Sequence, residues 1–151
     1  MELEPLFILR VDAGPPVGIG AGPHGTRLIS AASGGTFEGS RLRGKVLPNG
    51  GDWILVDDEN VWHMDVRLLL ETDDGARIYV QYQGVLVINE RIRAALAGGG
   101  ATEYDDAYFM TQPRFETGDA RYRWLNRIAA VGEGRLEPGV VEYRIFELIN
   151  G

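Results

Sequence analysis

Residues 52–84 confine the fold more tightly than any other stretch. The runs 52–56, 61–70 and 76–84 are rich in Val, Ile, Leu and Tyr, and Asp57-Asp58-Glu59-Asn60 and Asp73-Asp74-Gly75 part them. Asn, Asp and Gly adopt positive φ at low cost, so both gaps have hairpin-turn chemistry. The segment predicts a three-strand antiparallel meander. Further strands are expected at 3–13, 27–33, 35–47, 107–115, 127–133 and 140–149, which makes eight to ten in all. That number suffices to close a barrel, and closure removes the exposed edges of a long meander. The expected class is all-β: a single antiparallel β-barrel domain over residues 1–151 with one or two short helices, a sandwich being the alternative.

Two segments depart from the β pattern. Asn89 precedes a run of helix formers that ends at Gly98-Gly99-Gly100, which predicts a short helix at 90–97. Asp119 can cap a single helical turn reaching Leu125. Residues 14–25 hold five Gly and three Pro and are expected to form a loop over the surface or over a cavity mouth.

Composition narrows the chemistry. The chain has no Cys, which excludes disulfides, thiolate nucleophiles and Cys-ligated metals, and His24 and His63 are too few for a His-rich metal site. Fifteen Lys and Arg against 22 Asp and Glu give a net charge of −7, the wrong sign for holding a phosphate backbone, so no nucleic-acid partner is expected. There is no apolar run of membrane-span length and no basic-then-apolar leader, so a soluble, cytoplasmic protein is expected. Gly20-Ala-Gly-Pro-His-Gly25 matches a dinucleotide fingerprint by letters, but Pro23 interrupts it and a strand pattern follows. The acidic turns lack Ca-loop spacing, so no metal is expected there.

The most informative stretch for chemistry is 61–70. Strand side chains alternate between faces, so Trp62, Met64, Val66, Leu68 and Leu70 share an apolar face, and His63, Asp65 and Arg67 form a row on the other. An imidazole, a carboxylate and a guanidinium so spaced can act as general acid/base, orienting group and oxyanion anchor. The plain alternative is a solvent-facing strand whose polar side is wet. On the next strand Arg77, Tyr79, Gln81 and Gln83 alternate with Ala76, Ile78, Val80 and Tyr82, which sets a second polar face with a phenol beside the first. A second cluster, Thr111, Phe115, Trp124 and Asn126, has the profile of a pocket wall, or else of ordinary core and a helix end.

Gly34-Gly-Thr-Phe-Glu-Gly39, Leu42-Arg-Gly-Lys-Val-Leu-Pro48, Asp52-Trp53, Asp65-x-Arg67, Glu71-Thr-Asp-Asp-Gly75, Ile78-Tyr79, Thr111-x-Pro-x-Phe-Glu-Thr117 and Trp124-Leu-Asn126 resemble the DUF3237 (UPF0311) family, in order and over nearly the whole chain. The resemblance implies a compact calycin-like β-barrel with the polar row turned inward, with Asp65, Arg67, Tyr79, Thr111 and Asn126 lining its pocket. It also implies cofactor-free chemistry of the cyclase, isomerase or lyase kind on an aromatic or polyketide-like substrate. The chain departs from the family's usual pattern at His63, where a carboxylate is expected, and at Gln81 and Gln83, where arginines are frequent. The candidate catalytic residues are thus His63, Asp65, Arg67 and Tyr79, and the candidate substrate-binding residues Trp62, Gln81, Thr111, Phe115, Trp124 and Asn126. The rival expectation is a non-catalytic carrier or sensor with the same pocket. Expected partners are a small molecule and, as a guess that no residue specifies, a second copy in a homodimer.

Overall fold

The computed structural model describes residues 1–151. The strands are β1 (Glu2–Ala13), β2 (Val17–Gly22), β3 (Gly25–Glu38), β4 (Arg43–Val56), β5 (Val61–Thr72), β6 (Arg77–Val87), β7 (Phe109–Glu116), β8 (Ala129–Glu137) and β9 (Val140–Ile149). Helix α1 (Glu90–Leu96) lies between β6 and β7, and a 3-10 helix (Ala120–Arg127) between β7 and β8. The strands form one antiparallel sheet in the order β1-β9-β8-β7-β6-β5-β4-β3-β2, and β1 pairs also with β3. That last pairing closes a ring of eight strands, so the expected barrel forms, and β2 hangs on β3 outside the ring. No helix is long and apolar enough to cross a membrane.

The predicted meander is present, with β4, β5 and β6 paired in sequence and both acidic turns where the residues place them. Three expectations need correction. Residues 14–25 are not wholly loop: β2 and the start of β3 form a glycine-rich hairpin, because Gly20 supplies positive φ at the register shift and Gly25 supplies it beside the turn. Residues 35–47 are not one strand, since the chain turns over 39–42, where the Gly39 N–H donates to the Leu42 carbonyl. The stretch 27–33 instead continues past Gly35 as β3. Asn89 and Asp119 cap the two helices as predicted, accepting from the N–H groups of Ile92 and Arg121.

The alternation of apolar residues sets what the ring encloses. Leu6, Phe7, Phe37, Leu68, Leu70, Ile78, Val80 and Phe115 are buried in a single core. There Phe7 meets Phe37 and Phe115 edge to face at 5.6 and 5.8 Å between ring centroids, a geometry aromatic pairs favour. Leu125 of the 3-10 helix belongs to the same core, so the short helix covers the barrel with an apolar side chain.

Candidate active site

The rest of the interior is hollow. A cavity of about 430 Å³, open to solvent on one side, reaches in from the rim made by Pro15, Pro16, Leu96, Gly98, Pro138 and Gly139. This falls within the usual range for small-molecule sites. Its deeper walls are Val66, Met64, Trp62, Tyr82, Phe109 and Tyr143, with Asp52 and Ser30 among them. Tyr143 stacks edge to face on Tyr82 at 5.3 Å and on Phe109 at 5.5 Å, so the two phenols sit on a braced aromatic wall.

Asp52 reaches this apolar interior through a gap in a ladder. β4 and β5 pair at Asp52–Val66 and again at Leu55–His63, but no pair forms at Trp53 or Ile54. In the gap the carboxylate Oδ1 accepts the Asp65 backbone N–H at 3.0 Å. The side chain therefore lies in phase with buried Ile54, towards the cavity, and no cationic side chain of the chain pairs with it. Desolvation favours the neutral acid and raises its pKa from 3.8 to about 7; the Asp65 N–H pulls the other way, and the nearby Asp65 charge adds to the rise. Burial also raises both phenols, and the Asp52 charge adds to this, so Tyr82 and Tyr143 remain protonated donors at neutral pH. At the rim Glu137 is different: ion pairs with Arg10 and Arg135 hold it below the usual carboxylate range.

The expected polar row lies on the opposite side of the wall. Even-numbered residues of β5 are buried or line the cavity, whereas His63 and Arg67 are exposed. Burial of five apolar side chains outweighs burial of a guanidinium, a carboxylate and an imidazole, whose desolvation no interior partner offsets. His63 Nε2 lies 2.9 Å from Asp57 Oδ2 in the adjoining turn, and Asp65 does not orient it. The Arg67 guanidinium sits 5.7 Å from the Trp53 ring centroid. On β6, Tyr79 and Gln81 share that outer face, and the Tyr79 hydroxyl donates weakly to Gln81 Oε1 at 3.4 Å. The inward orientation expected for these five residues is thus reversed, and none of them lines the cavity.

The remaining expected residues divide. Trp62 does line the cavity. Thr111 and Phe115 point inward but are packed, Thr111 with a buried Oγ1 that has no hydrogen-bond partner and Phe115 against Phe7. Trp124 lies beneath the Arg41 guanidinium at 4.1 Å, and Asn126 exchanges two hydrogen bonds with the Thr117 backbone, which ties the 3-10 helix to β7. The cavity residues that sequence reasoning missed were in phase with apolar neighbours. Tyr82 follows Ile78 and Val80 on one face, and Asp52 falls two residues before Ile54.

A closed antiparallel β-barrel with a ligand-sized hollow, one desolvated carboxyl and two phenols defines the class to which this protein belongs. Within that class the chain belongs to the DUF3237 family, described as a protein of unknown function, whose match spans residues 1–148. It is 31% identical to a UPF0311 protein of Rhodopseudomonas palustris over 132 residues, 87% of this chain and 86% of that one. The crystal structure of the R. palustris protein superposes with a TM-score of 0.90 at 29% identity, covering 98% and 97% of the two chains. A β-barrel-like protein of Acinetobacter baumannii is 38% identical with a TM-score of 0.83, covering 98% of this chain and 96% of its own. An enzyme of Penicillium herquei shares the fold at 20% identity, with a TM-score of 0.72 and coverage of 98% and 94%.

Proposed function

We propose that the chain is a cofactor-independent enzyme of the isomerase, cyclase or lyase kind, which moves protons on a small, largely apolar substrate inside the barrel. The observation that carries this reading is the Asp52 carboxyl, which faces the cavity with no cationic partner, unlike Glu137 at the rim, and which burial pushes up to about 7. Brønsted behaviour favours an acid/base group near the working pH, and such clustering of perturbed groups in a pocket is what catalysis requires. Asp52 takes a proton from carbon next to a carbonyl and returns it to another atom of the same substrate, so no redox partner is needed. Tyr82 and Tyr143 donate hydrogen bonds to the enolate or phenolate oxygen that forms meanwhile. Trp62 and Phe109 hold the flat body of the substrate and exclude water.

The test begins with mass spectrometry of ligands carried by protein purified from its own host. On the ligand so found, kcat/KM is expected to show a limb near pH 7, and Asp52→Asn to lower it by about 10²–10⁴-fold. Tyr82→Phe should retain binding and lose turnover. A ligand bound saturably and returned unchanged would instead identify a carrier or sensor.

A further inference from the structure

The outer wall of β5, β6 and β7 carries polar residues that the cavity does not use. Cross-strand register places them in rows. Asp65 pairs with Gln83 and Gln83 with Gln112; one step along, Arg67 pairs with Gln81 and Gln81 with Arg114. Arg67 and Arg114 are exposed and form an ion pair with none of the chain's carboxylates. Asp65 keeps a buried Oδ1 with no donor, a condition that costs free energy until a partner supplies one. At the margin of the same face Trp53, Tyr108 and Met110 are exposed by 37%, 59% and 38% and lie together around one surface concavity with Asp65, Gln83 and Gln112.

These rows are complementary to themselves. A two-fold axis lying in the contact plane, across the strands and midway between the rows, exchanges one row with the other. It sets Asp65 opposite the partner's Arg67, Gln83 opposite the partner's Gln81, and Gln112 opposite the partner's Arg114, each contact being made twice. Packed sheets stand roughly 10 Å apart, a gap that an Arg and an Asp together bridge. The fork of a guanidinium can satisfy both oxygens of the Asp65 carboxylate once it turns outward. We propose that this face is an isologous interface and that its occupant is a second copy of this chain. The complementary rows span only three strands, so the contact is small and the association is weak, with a Kd on the order of micromolar. The inference is independent of the chemistry proposed for the cavity.

Sedimentation equilibrium of the full chain tests it. The wild-type protein is expected to dimerise between roughly 1 and 100 µM, a range set by the affinity class of small interfaces. Asp65→Arg alone and Arg67→Asp alone should each be monomeric, because like charges then face each other across the axis. An equimolar mixture of the two variants should recover association, since every facing pair in the mixed dimer has opposite signs. Near-UV circular dichroism checks that each variant is folded. A wild-type monomer throughout that range overturns the proposal. So do a dimer that survives either single reversal, which would point to another surface such as the free edge of β2, and a folded mixture that stays monomeric.

Discussion

Replacing Asp52 by Asn removes the ionisable group but keeps an oxygen for the Asp65 N–H. In the wild type the carboxyl binds its proton more tightly in the folded chain, where its pKa is about 7, than in the unfolded one, where the ordinary value is 3.8. Between these two values the folded state holds more protons. Raising the pH from about 4 to about 7 therefore costs wild-type stability, and above about 7 the loss is complete. At about 1.4 kcal/mol for each pH unit, the full interval is worth about 4 kcal/mol, and water entering the open cavity reduces this to about 2–4 kcal/mol. The variant has no such loss. Urea unfolding of both proteins at several values from about pH 5 to pH 8 spans about two-thirds of that interval and should show the variant gaining relative to wild type as pH rises, by about 0.5–1.5 M in midpoint at an ordinary m-value. A difference that stays flat across that range would mean the carboxyl is ionised throughout and would remove Asp52 as an acid poised near neutrality.

His63→Ala should leave affinity and turnover for the cavity ligand within about twofold, as expected for a surface side chain away from the site; titration calorimetry and initial rates measure this. Gly132→Ala should destabilise the barrel by about 1–3 kcal/mol in denaturant unfolding, because overpacking strains a filled interior. A Cβ there would stand 2.6 Å from Thr111 Oγ1 and 2.7 Å from Ile145 Cδ1. Asp119→Ala should cost about 1 kcal/mol and loosen the 3-10 helix, visible as faster amide exchange at Arg121, whose N–H the Asp119 carboxylate accepts.

Much of the barrel was legible because short-range chemistry decides it. The turns at 57–60 and 73–75, the caps at Asn89 and Asp119, and the alternation along 61–70 each act over a few residues, and the structure contains all of them. The bend at 39–42 was not, since Gly39 and Gly44 interrupt a run whose letters otherwise suit one continuous strand. The hairpin at 17–28 was hidden in the same way, because its glycines read as loop until β3 supplies a partner for their backbone.

For the site, alternation by itself determined that β5 has an apolar face and a polar face, and that His63, Asp65 and Arg67 share the second. Only closure of the ring decided which face became interior. Enclosure rewards hydrocarbon and penalises unpaired charge, so Trp62, Met64 and Val66 turned inward and the charged row outward. The one acid that did enter, Asp52, is more than fifty residues from three of its principal cavity companions in sequence, Phe109, Leu136 and Tyr143, and its near-neutral pKa arises from desolvation among strands that no local pattern brings together.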